Sequence, residues 1–386
     1  MPSSRAQARL AEFLETAERL KNERAAAGGV LETVEATPPE SWPSLAALPE
    51  FQTNAALERL GDEVRRRLDR NPREALALAE LATTIADALP ATMYPAVTLA
   101  QIRAMAWKDR ANALRFLGRY DDTFEALARA DQILDKHVAL GLDRAVVDLV
   151  KALALVDVGH FDEARAIAIT CGSVFLAHGD LTRALYAGEI EAHVLYEERR
   201  YSDAQALYKS LLDVAVAAED KIEEARLHNN LGYCSMHTDR FSDATVHFSH
   251  AIATFTDLGY QTEVTRTHRG AGLLMIAKGQ VRNGIEHLQS ARELFAQAGM
   301  FEEAALCGLS IAEALLSRGD EADAVTIVSD VARQFRDAAI ERRVIDAVTA
   351  LEHEIANSET PAEAVRNVYS IIETSRQEAK ARPRAL

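Results

Sequence analysis

Apolar residues recur along the chain at the three- and four-residue spacing of amphipathic α-helices, and short polar segments separate these stretches. The N-terminal stretch shows this pattern on one face, which carries Leu10, Phe13, Leu14, Ala17 and Leu20. The spacing predicts a helix over about residues 4–26. Gly28 and Gly29 are expected to end this helix, because glycine is common just after a helix C-terminus.

A segment of similar sequence recurs at each predicted turn between helices. Its marker residue, usually aromatic, is Tyr120, Phe161, Tyr201, Phe241, Val281 and Glu321 in successive copies. The first spacing is 41 residues and the following four are 40. A seventh copy is expected at Pro361, in the segment ETPAEAVRNVY. A fixed period of this length is typical of helical-repeat proteins.

Two positions of each repeat hold small residues. The first, nine residues before the marker, holds Ala111, Ala152, Ala192, Gly232, Gly272 and Ala312. The second, three residues after the marker, holds Ala164, Ala204, Ala244, Gly284 and Ala324, with Thr123 as an exception. Antiparallel helices that cross at close range leave no room for a long side chain. We therefore expect these residues where the two helices of each pair cross.

These recurring residues resemble the consensus of the tetratricopeptide-repeat (TPR) family. The resemblance covers about residues 104–379. It implies an all-α fold, a right-handed superhelical solenoid of antiparallel helix pairs with seven to eight repeats. The period here is about 40 residues instead of the usual 34 or so. Longer repeats of this kind are similar to those of kinesin light chains, the maltose-regulon activator and the quorum-sensing peptide receptors of Gram-positive bacteria.

The sequence divides into three predicted parts. Residues 1–53 form an N-terminal helix and a linker containing Pro and Gly, residues 54–103 a degenerate first helical pair, and residues 104–386 the TPR-like array with a short C-terminal tail. The sequence leaves three interpretations of the first helix open. It caps the open end of the array, it dimerises, or it occupies the groove as a built-in blocker.

Charge and composition limit the partners that we expect. The chain has 59 acidic and 43 basic residues, a formal net charge of −16. Such a surface repels phosphate backbones, so nucleic acid is not expected as the main ligand. No apolar run approaches the length of about 18 residues that indicates a membrane helix. The three cysteines form no CxxC pair and the N-terminus lacks a secretory signal, so we expect a cytoplasmic protein.

The TPR resemblance also implies which face binds a partner. In that family the first helix of each pair lines the concave groove through its positions 2, 5, 9 and 12. Polar and aromatic residues hold these positions in three successive repeats: Glu189, His193 and Tyr196, then Arg226, Asn229, Tyr233 and Met236, then Arg266 and Arg269. We take all of these except Met236 as the candidate site residues. Asn230, at position 6, is expected to face a neighbouring repeat and contact its backbone.

The residue types suit the recognition of an extended peptide. An asparagine amide offers both donor and acceptor to a peptide backbone, whatever its side chains are. Arg266 and Arg269 could grip a carboxylate in fork geometry, and Tyr196 and Tyr233 would add flat apolar contact. The alternative is that these are ordinary polar residues which hydrate a wide groove.

A more specific family motif is only partly present. Chaperone-binding relatives hold a terminal carboxylate with five residues, and Lys108 and Asn112 match the first two. The remaining three positions carry Val150, Tyr186 and Ile190, which are not the residues that the motif requires. Two matches in five do not make a carboxylate clamp.

The sequence carries no motif for catalysis or cofactor binding. It has no Gly-rich phosphate loop, no nucleophile elbow and no HExxH segment. His247 and His250 share a helix face and could hold a metal, yet no carboxylate or cysteine stands at a spacing that would complete the site. We therefore expect no enzymatic activity, no cofactor and no metal.

The sequence thus predicts a non-enzymatic scaffold that binds a peptide or partner protein in its concave groove, with a regulatory role. The alternative is a sensor in which a signalling peptide changes the superhelix and releases an effector. The peptide receptors carry an effector domain at the front, and residues 1–53 are too short for a helix-turn-helix domain. The terminal apolar faces would also allow a homodimer.

Overall fold

The computed structural model of the protein describes residues 4–68, 71–137 and 139–337. All regular secondary structure in these residues is helical. The α-helices are α1 (Ser4–Ala26), α2 (Val30–Ala36), α3 (Asn54–Leu68), α4 (Pro72–Ala88), α5 (Ala96–Phe116), α6 (Tyr120–Leu134), α7 (Gly141–Asp157), α8 (Phe161–Ala177), α9 (Leu181–Glu197), α10 (Tyr201–Ala217), α11 (Lys221–His237), α12 (Phe241–Leu258), α13 (Gln261–Ala277), α14 (Val281–Gln297), α15 (Phe301–Leu316) and α16 (Glu321–Asp337). The expected seventh copy at Pro361 lies outside the described residues.

The repeat predicted from the sequence is the unit of the fold. Every marker residue from Tyr120 to Glu321 is the first residue of the second helix in a pair, namely of α6, α8, α10, α12, α14 and α16. Short turns join the helices, so neighbouring helices run antiparallel. From α8 to α16 each helix packs against the next one along the chain. The prediction of an all-α array of helix pairs is therefore confirmed.

The small residues lie at the crossings of the pairs, as expected. The alanines among them are completely or almost completely buried. In the pair α13–α14 even a methyl group would clash, because a Cβ on Gly284 would lie 2.7 Å from the carbonyl oxygen of Gly272. In the pair α11–α12 a Cβ on Gly232 would lie 2.6 Å from the ring of Phe248. These glycines let the two helices approach each other closely.

The turns within these two pairs carry different residues at their left-handed position. Asp239, between α11 and α12, has φ of 57°, and Gly279, between α13 and α14, has φ of 79°. Both lie in the left-handed region, which costs a residue with a Cβ about 1–2 kcal/mol. The turn geometry is thus the same, but only the second pair has glycine there.

The chain forms two compact units, residues 1–150 and residues 151–386. The boundary falls within α7. The predicted division into residues 1–53, 54–103 and 104–386 stays a prediction. All candidate site residues belong to the second unit.

The N-terminal helix packs within the first unit. α1 contacts α3, and Arg24 forms a two-pronged ion pair with Glu58 of that helix at 2.9 Å. The hydroxyl of Tyr94 donates to the carboxylate of Glu23 at 2.7 Å. These contacts favour the capping interpretation of α1 among the three that the sequence leaves open.

The segment predicted to be a linker is packed. Residues 39–51 form 3-10 turns, Pro39–Ala47 and Pro49–Phe51, and the side chains of Trp42 and Phe51 are buried. The indole nitrogen of Trp42 donates to the carbonyl oxygens of Val34 and Thr37 at 3.1 and 2.9 Å. A 3-10 segment has no helical apolar period, which is why the sequence pattern did not reveal it.

The first helices of the pairs lie side by side in the second unit. α11 and α13 contact each other more than α12 and α14 do, and the same holds for α13 and α15 compared with α14 and α16. In a curved stack of repeats, the helices on the inner side are closer together. The first helices α11, α13 and α15 are therefore on the inner side, and α9 adjoins α11 through Tyr196 and Glu189. We call α9, α11 and α13, which carry the candidate residues, the inner row.

Candidate functional site

All eight candidate residues are partly exposed, and they lie on three neighbouring first helices. α9 carries Glu189, His193 and Tyr196, α11 carries Arg226, Asn229 and Tyr233, and α13 carries Arg266 and Arg269. The structure brings them together in two groups that touch each other. One group is aromatic and the other is charged and polar.

The aromatic cluster consists of His193, Tyr196, Tyr201, Tyr233 and His237. Tyr196 lies at its centre. Its ring centroid is 5.9 Å from that of His193, 5.3 Å from Tyr201, 6.3 Å from Tyr233 and 5.5 Å from His237. His237 also stacks on Tyr201 with ring centroids 4.6 Å apart. Edge-to-face and stacked rings at these distances form a rigid apolar platform.

Tyr233 connects the cluster to the next repeat. Its ring meets the edge of Phe248 at 5.1 Å, and its hydroxyl donates to the carbonyl oxygen of Arg266 at 3.5 Å. Gly270 of α13 makes this possible, because a Cβ there would lie 2.9 Å from Tyr233 and 2.7 Å from Phe248. Gly270 thus leaves the space that the ring of Tyr233 occupies.

The polar group begins with a pair of carboxyl groups on α9 and α11. Glu189 of α9 approaches Glu223 of α11, and burial followed by this neighbour raises the pKa of Glu189 well above its usual range. Burial also raises the pKa of Glu223, while Glu189 and Arg226 oppose that rise. Because two neighbouring carboxylates repel each other, one of them takes up a proton more readily, and the stronger rise in pKa falls on Glu189.

The surroundings of the acid pair fit this assignment. Asn230 donates through Nδ2 to Oε1 of Glu189 at 2.8 Å. Arg226 lies 3.7 Å from the Glu223 carboxylate, donates to the hydroxyl of Tyr186 and lies over its ring at 5.2 Å. In the part of the chain that the structure describes, the buried oxygens of Glu223 accept no N–H donor. A proton on the neighbouring Glu189 would supply a donor for Glu223.

The two arginines of α13 already have carboxylate partners. Arg266 pairs with Glu263 one turn earlier at 2.9 Å, and Arg269 pairs with Glu303 of α15. Burial opposes the charge of Arg269, but Glu303 and Tyr233 raise its pKa well above the ordinary value. Both arginines are thus permanently charged, and a peptide carboxylate would have to exchange with an internal partner.

Asn229 has hydrogen-bonding capacity that the described residues do not use. Its Nδ2 donates weakly to Oδ1 of Asn230 at 3.4 Å. Its own Oδ1 is buried and accepts no hydrogen bond from any described residue. A buried unpaired acceptor costs about 1–3 kcal/mol, so the helix gains if a ligand donates to this oxygen. Asn230 faces the neighbouring repeat as expected, but it bonds a side chain there and not the backbone.

Several residues of this site were missed in the sequence. Tyr186, Tyr201, Glu223, His237 and Glu303 all contact candidate residues. One signal was visible, because Glu223, Glu263 and Glu303 recur at an interval of 40 residues. They occupy the same register three residues before position 2. This repetition shows that the inner row carries its own counterions.

The partial carboxylate-clamp motif has no clamp geometry. Lys108 is almost completely buried and pairs with the adjacent Asp109. The amide oxygen of Asn112 accepts from Arg115 at 3.2 Å. Both residues serve local contacts of α5.

Three potential metal ligands come together on the side of α11 that faces α12. Glu224 and His228 of α11 and His250 of α12 place one ligand atom each within 4.8 Å of one another. The sequence argument, which looked for a carboxylate or cysteine that would complete the ligand set, did not identify Glu224. Glu224 lies one turn before His228, and the packing of α12 on α11 brings it next to His250.

The cysteine thiols offer no reactive group. Cys171, Cys234 and Cys307 are all buried as free thiols. Burial raises the pKa of Cys234 and of Cys307 to about 12. Thiols with such pKa values are protonated at neutral pH and poor nucleophiles.

No family model matches the chain, and no curated protein matches it. Solved structures of helical-repeat proteins do match. NprR in complex with its cognate peptide NprX has a TM-score of 0.57 at 13% identity, covering 96% of this chain and 98% of that one. A Rap protein complexed with competence and sporulation factor has a TM-score of 0.54 at 15% identity, with coverages of 87% and 97%. Aspartyl phosphate phosphatase F from Bacillus subtilis has a TM-score of 0.50 at 13% identity, with coverages of 83% and 84%.

At these identities the likeness is one of fold. The TPR-like helical-repeat architecture predicted from the sequence is shared with these structures over most of the chain. Among the described helices, none combines the length and the apolar composition needed to cross a membrane.

Proposed function

We propose that the protein is a non-enzymatic regulatory scaffold which binds a peptide, or an extended segment of a partner protein, along the inner row of α9, α11 and α13. The observation that carries this proposal is the state of the candidate residues. All eight are partly exposed on adjoining helices, and the buried acceptor of Asn229 lacks a donor. Residues that served packing alone would be buried and satisfied.

Two parts of the row would take different parts of a peptide. The aromatic cluster offers a platform for an apolar side chain, since flat rings give large contact area at low entropic cost. Asn229 would accept a backbone N–H of the peptide. Arg269 would bind a carboxylate of the peptide in place of Glu303. Glu303 would then have to turn to solvent, so that its charge is not left unpaired in the site.

A second candidate is a peptide-sensing regulator that changes its superhelix on binding a signalling peptide and releases an effector. It is supported by the likeness to NprR and Rap, which were solved with a peptide and with competence and sporulation factor. The acid pair Glu189–Glu223 joins α9 to α11 across a repeat boundary, so a bound peptide could alter that contact. Small-angle scattering separates the two candidates, because only the sensor changes its profile on binding.

The proposal also covers the family and the setting. We assign the chain to the TPR family with long repeats, because the markers start the second helices and small residues fill the crossings. We keep the cytoplasmic setting expected from the sequence, which the three free thiols support.

The test is a selection of peptides on the full-length chain. A random-peptide display library is panned on immobilised protein, and enriched peptides are measured by fluorescence anisotropy. The double variant Asn229→Ala/Arg269→Ala is expected to lower the affinity about tenfold or more, since hydrogen bonds to charged groups contribute about 1.5–3 kcal/mol. Glu303→Gln is expected to raise the affinity for peptides with a free carboxylate, because it removes the internal competitor.

The control is a double variant with the same residue types on a second helix. Arg282 and Asn283 of α14 are exposed, so Arg282→Ala/Asn283→Ala should bind as the unchanged protein does. Circular dichroism verifies that both double variants are folded. Binding that survives Asn229→Ala/Arg269→Ala, or that is lost in the α14 control, would contradict the proposed site.

A further inference from the structure

A second polar cluster lies between the two helices of one repeat. Glu224 and His228 belong to α11, and His247 and His250 belong to α12; these four residues are the histidine cluster. At about 100° per residue, Glu224 and His228 share one face of α11 and Tyr233 lies on nearly the opposite face. The cluster is therefore separate from the proposed peptide site.

The side chains of the cluster face each other at short distances. Oε1 of Glu224 lies 3.4 Å from Nε2 of His250. The rings of His228 and His250 stack with centroids 3.9 Å apart. Nδ1 of His228 lies 2.9 Å from Nδ1 of His247. Nδ1 of His250 is buried and has no hydrogen-bond partner among the described residues.

These distances suit a small divalent ion. Zn²⁺ binds imidazole nitrogens and carboxylate oxygens at about 2.0–2.2 Å, and adjacent ligands of a tetrahedral site are then about 3.3–3.5 Å apart. The Glu224–His250 separation already has this value. Ligand atoms that lie within 4.8 Å of one another need shifts of about 1 Å or less to reach such bonds.

The next repeat supplies an internal comparison. His268 and His287 occupy the register of His228 and His247, and their ring centroids are 5.7 Å apart. Val264 and Ser290 stand there where the first repeat has Glu224 and His250. The histidine pair thus recurs as part of the packing of α13 on α14. The carboxylate and the third imidazole belong to the pair α11–α12 alone of these two repeats.

We propose that Glu224, His228 and His250 form a binding site for a zinc-class divalent transition-metal ion, which joins α11 to α12. His247 holds the ring of His228 through the Nδ1 contact, the kind of partner that orients a metal-binding imidazole. Water completes the coordination, as in zinc sites with three protein ligands. The ion fixes α11, the central helix of the inner row, against its partner helix.

Lys221, which pairs with Glu224, offers a further test of the metal site. Its Nζ lies 2.7 Å from Oε2 of Glu224, and its side chain is exposed. A lysine charge beside a ligand carboxylate competes with a metal ion for it. Lys221→Gln should therefore bind the ion more tightly, whereas a loss of any ligand should weaken binding.

The test uses the full-length chain without a histidine tag, stripped of metal with a chelator and titrated with ZnCl₂ in a calorimeter. One ion per chain is expected, together with a higher Tm in the presence of Zn²⁺. His250→Ala and His228→Ala should remove the stoichiometric site and the Tm shift, and Glu224→Gln should weaken binding at least about tenfold. Co²⁺ should give the visible absorption of a four-coordinate site in the unchanged protein and not in His228→Ala or His250→Ala.

The matched control is His268→Ala/His287→Ala, which removes the equivalent pair of the next repeat. It should bind one Zn²⁺ as the unchanged protein does. Circular dichroism of the metal-free variants verifies their fold, and Glu224→Gln, which keeps the side-chain shape, provides a mild variant. The proposal is overturned if no saturable Zn²⁺ binding occurs, if binding persists in His228→Ala and His250→Ala, or if the control loses it.

Discussion

The helix pairs α11–α12 and α13–α14 occupy the same register of two successive repeats, and they share a glutamate, an arginine and a histidine pair but differ in other residues that carry chemistry. Both have glycine at the first crossing position, Gly232 and Gly272. Both have a small residue at the second, Ala244 and Gly284. The residues that carry chemistry differ, because Asn229 in the first pair corresponds to Arg269 in the second.

In these repeats, the residues that set the helix packing and the residues that carry chemistry stand at different positions. Small residues at the crossings set the distance between helices, and almost no other choice is possible there. The inner row and the space within each pair accept many side chains, so an acid–amide network, an arginine with its counterion or a histidine cluster can stand on the same backbone. Each of the following substitutions exchanges a feature of one pair for that of the other or removes it.

The largest effect is expected at the second crossing position. In Gly284→Ala the new Cβ would lie 2.7 Å from the backbone oxygen of Gly272 and 2.6 Å from Cγ1 of Ile276. Overpacking of this kind should lower the free energy of unfolding by about 1–3 kcal/mol, measured by urea denaturation. The reciprocal change Ala244→Gly should cost less, about 1 kcal/mol, through helix propensity. Equal costs would show that the two crossings are not distinct.

The ion pair of Arg269 should come next. Glu303→Gln leaves a partly buried arginine without its main counterion, so the free energy of unfolding should fall by about 1–2 kcal/mol. Glu286→Gln, which removes the partner of Arg282 in an exposed pair at 3.8 Å, should change it by less than about 0.5 kcal/mol. Urea denaturation measures both. A loss in Glu286→Gln as large as that in Glu303→Gln would contradict the account of the inner row.

The acid pair should give the protein a pH dependence. Because the pKa of Glu189 is raised in the folded state, the unfolded chain releases this proton first as the pH rises above about 4.5. The stability that Glu189 contributes is therefore complete below that pH and is lost as the pH rises through the folded-state pKa.

Glu189→Gln removes this dependence and keeps a donor toward Glu223. The Tm of the variant should rise relative to that of the unchanged protein between pH 5 and pH 8, as measured by differential scanning calorimetry. Glu286→Gln, at an exposed position, serves as the control. Its Tm should differ from that of the unchanged protein by the same amount at every pH. A constant difference for Glu189→Gln as well would mean that Glu189 does not hold a proton.

The smallest effect is expected in the turns. Asp239→Gly should stabilise the protein by up to about 1 kcal/mol, because it relieves the left-handed conformation of a residue with a Cβ. The opposite change in the next repeat, Gly279→Ala, should destabilise it by about 1 kcal/mol. Thermal unfolding measures both. The same sign for the two changes would contradict the equivalence of these turns.

The sequence predicted the parts of the structure that repeat. The markers and small residues have one physical task in every copy, so their recurrence at 40 residues was enough to place the helices and crossings. The packing of Trp42 and Phe51 was not predicted, since the 3-10 turns around them have no helical period. Glu224 was also missed, because its contact with His250 depends on how α11 and α12 are rotated relative to each other.

The candidate residues lie close together, and their contacts were predicted only in part. The TPR resemblance placed Asn229, Tyr233 and Arg269 on the first helices of their pairs, and they lie on α11 and α13. The partner of Arg269 could not be predicted from one helix, because Glu303 stands on another repeat. Asn230 shows the same point, since its bond to Glu189 depends on how closely α9 and α11 approach.

The central claim is that ligands bind along the first helices of the repeats. Hydrogen–deuterium exchange on the full-length chain, with and without a saturating peptide from the display selection, tests this most directly. We predict slower exchange in α9, α11 and α13, with α10, α12 and α14 unchanged. Protection confined to the second helices, or no change in either set, would contradict the claim.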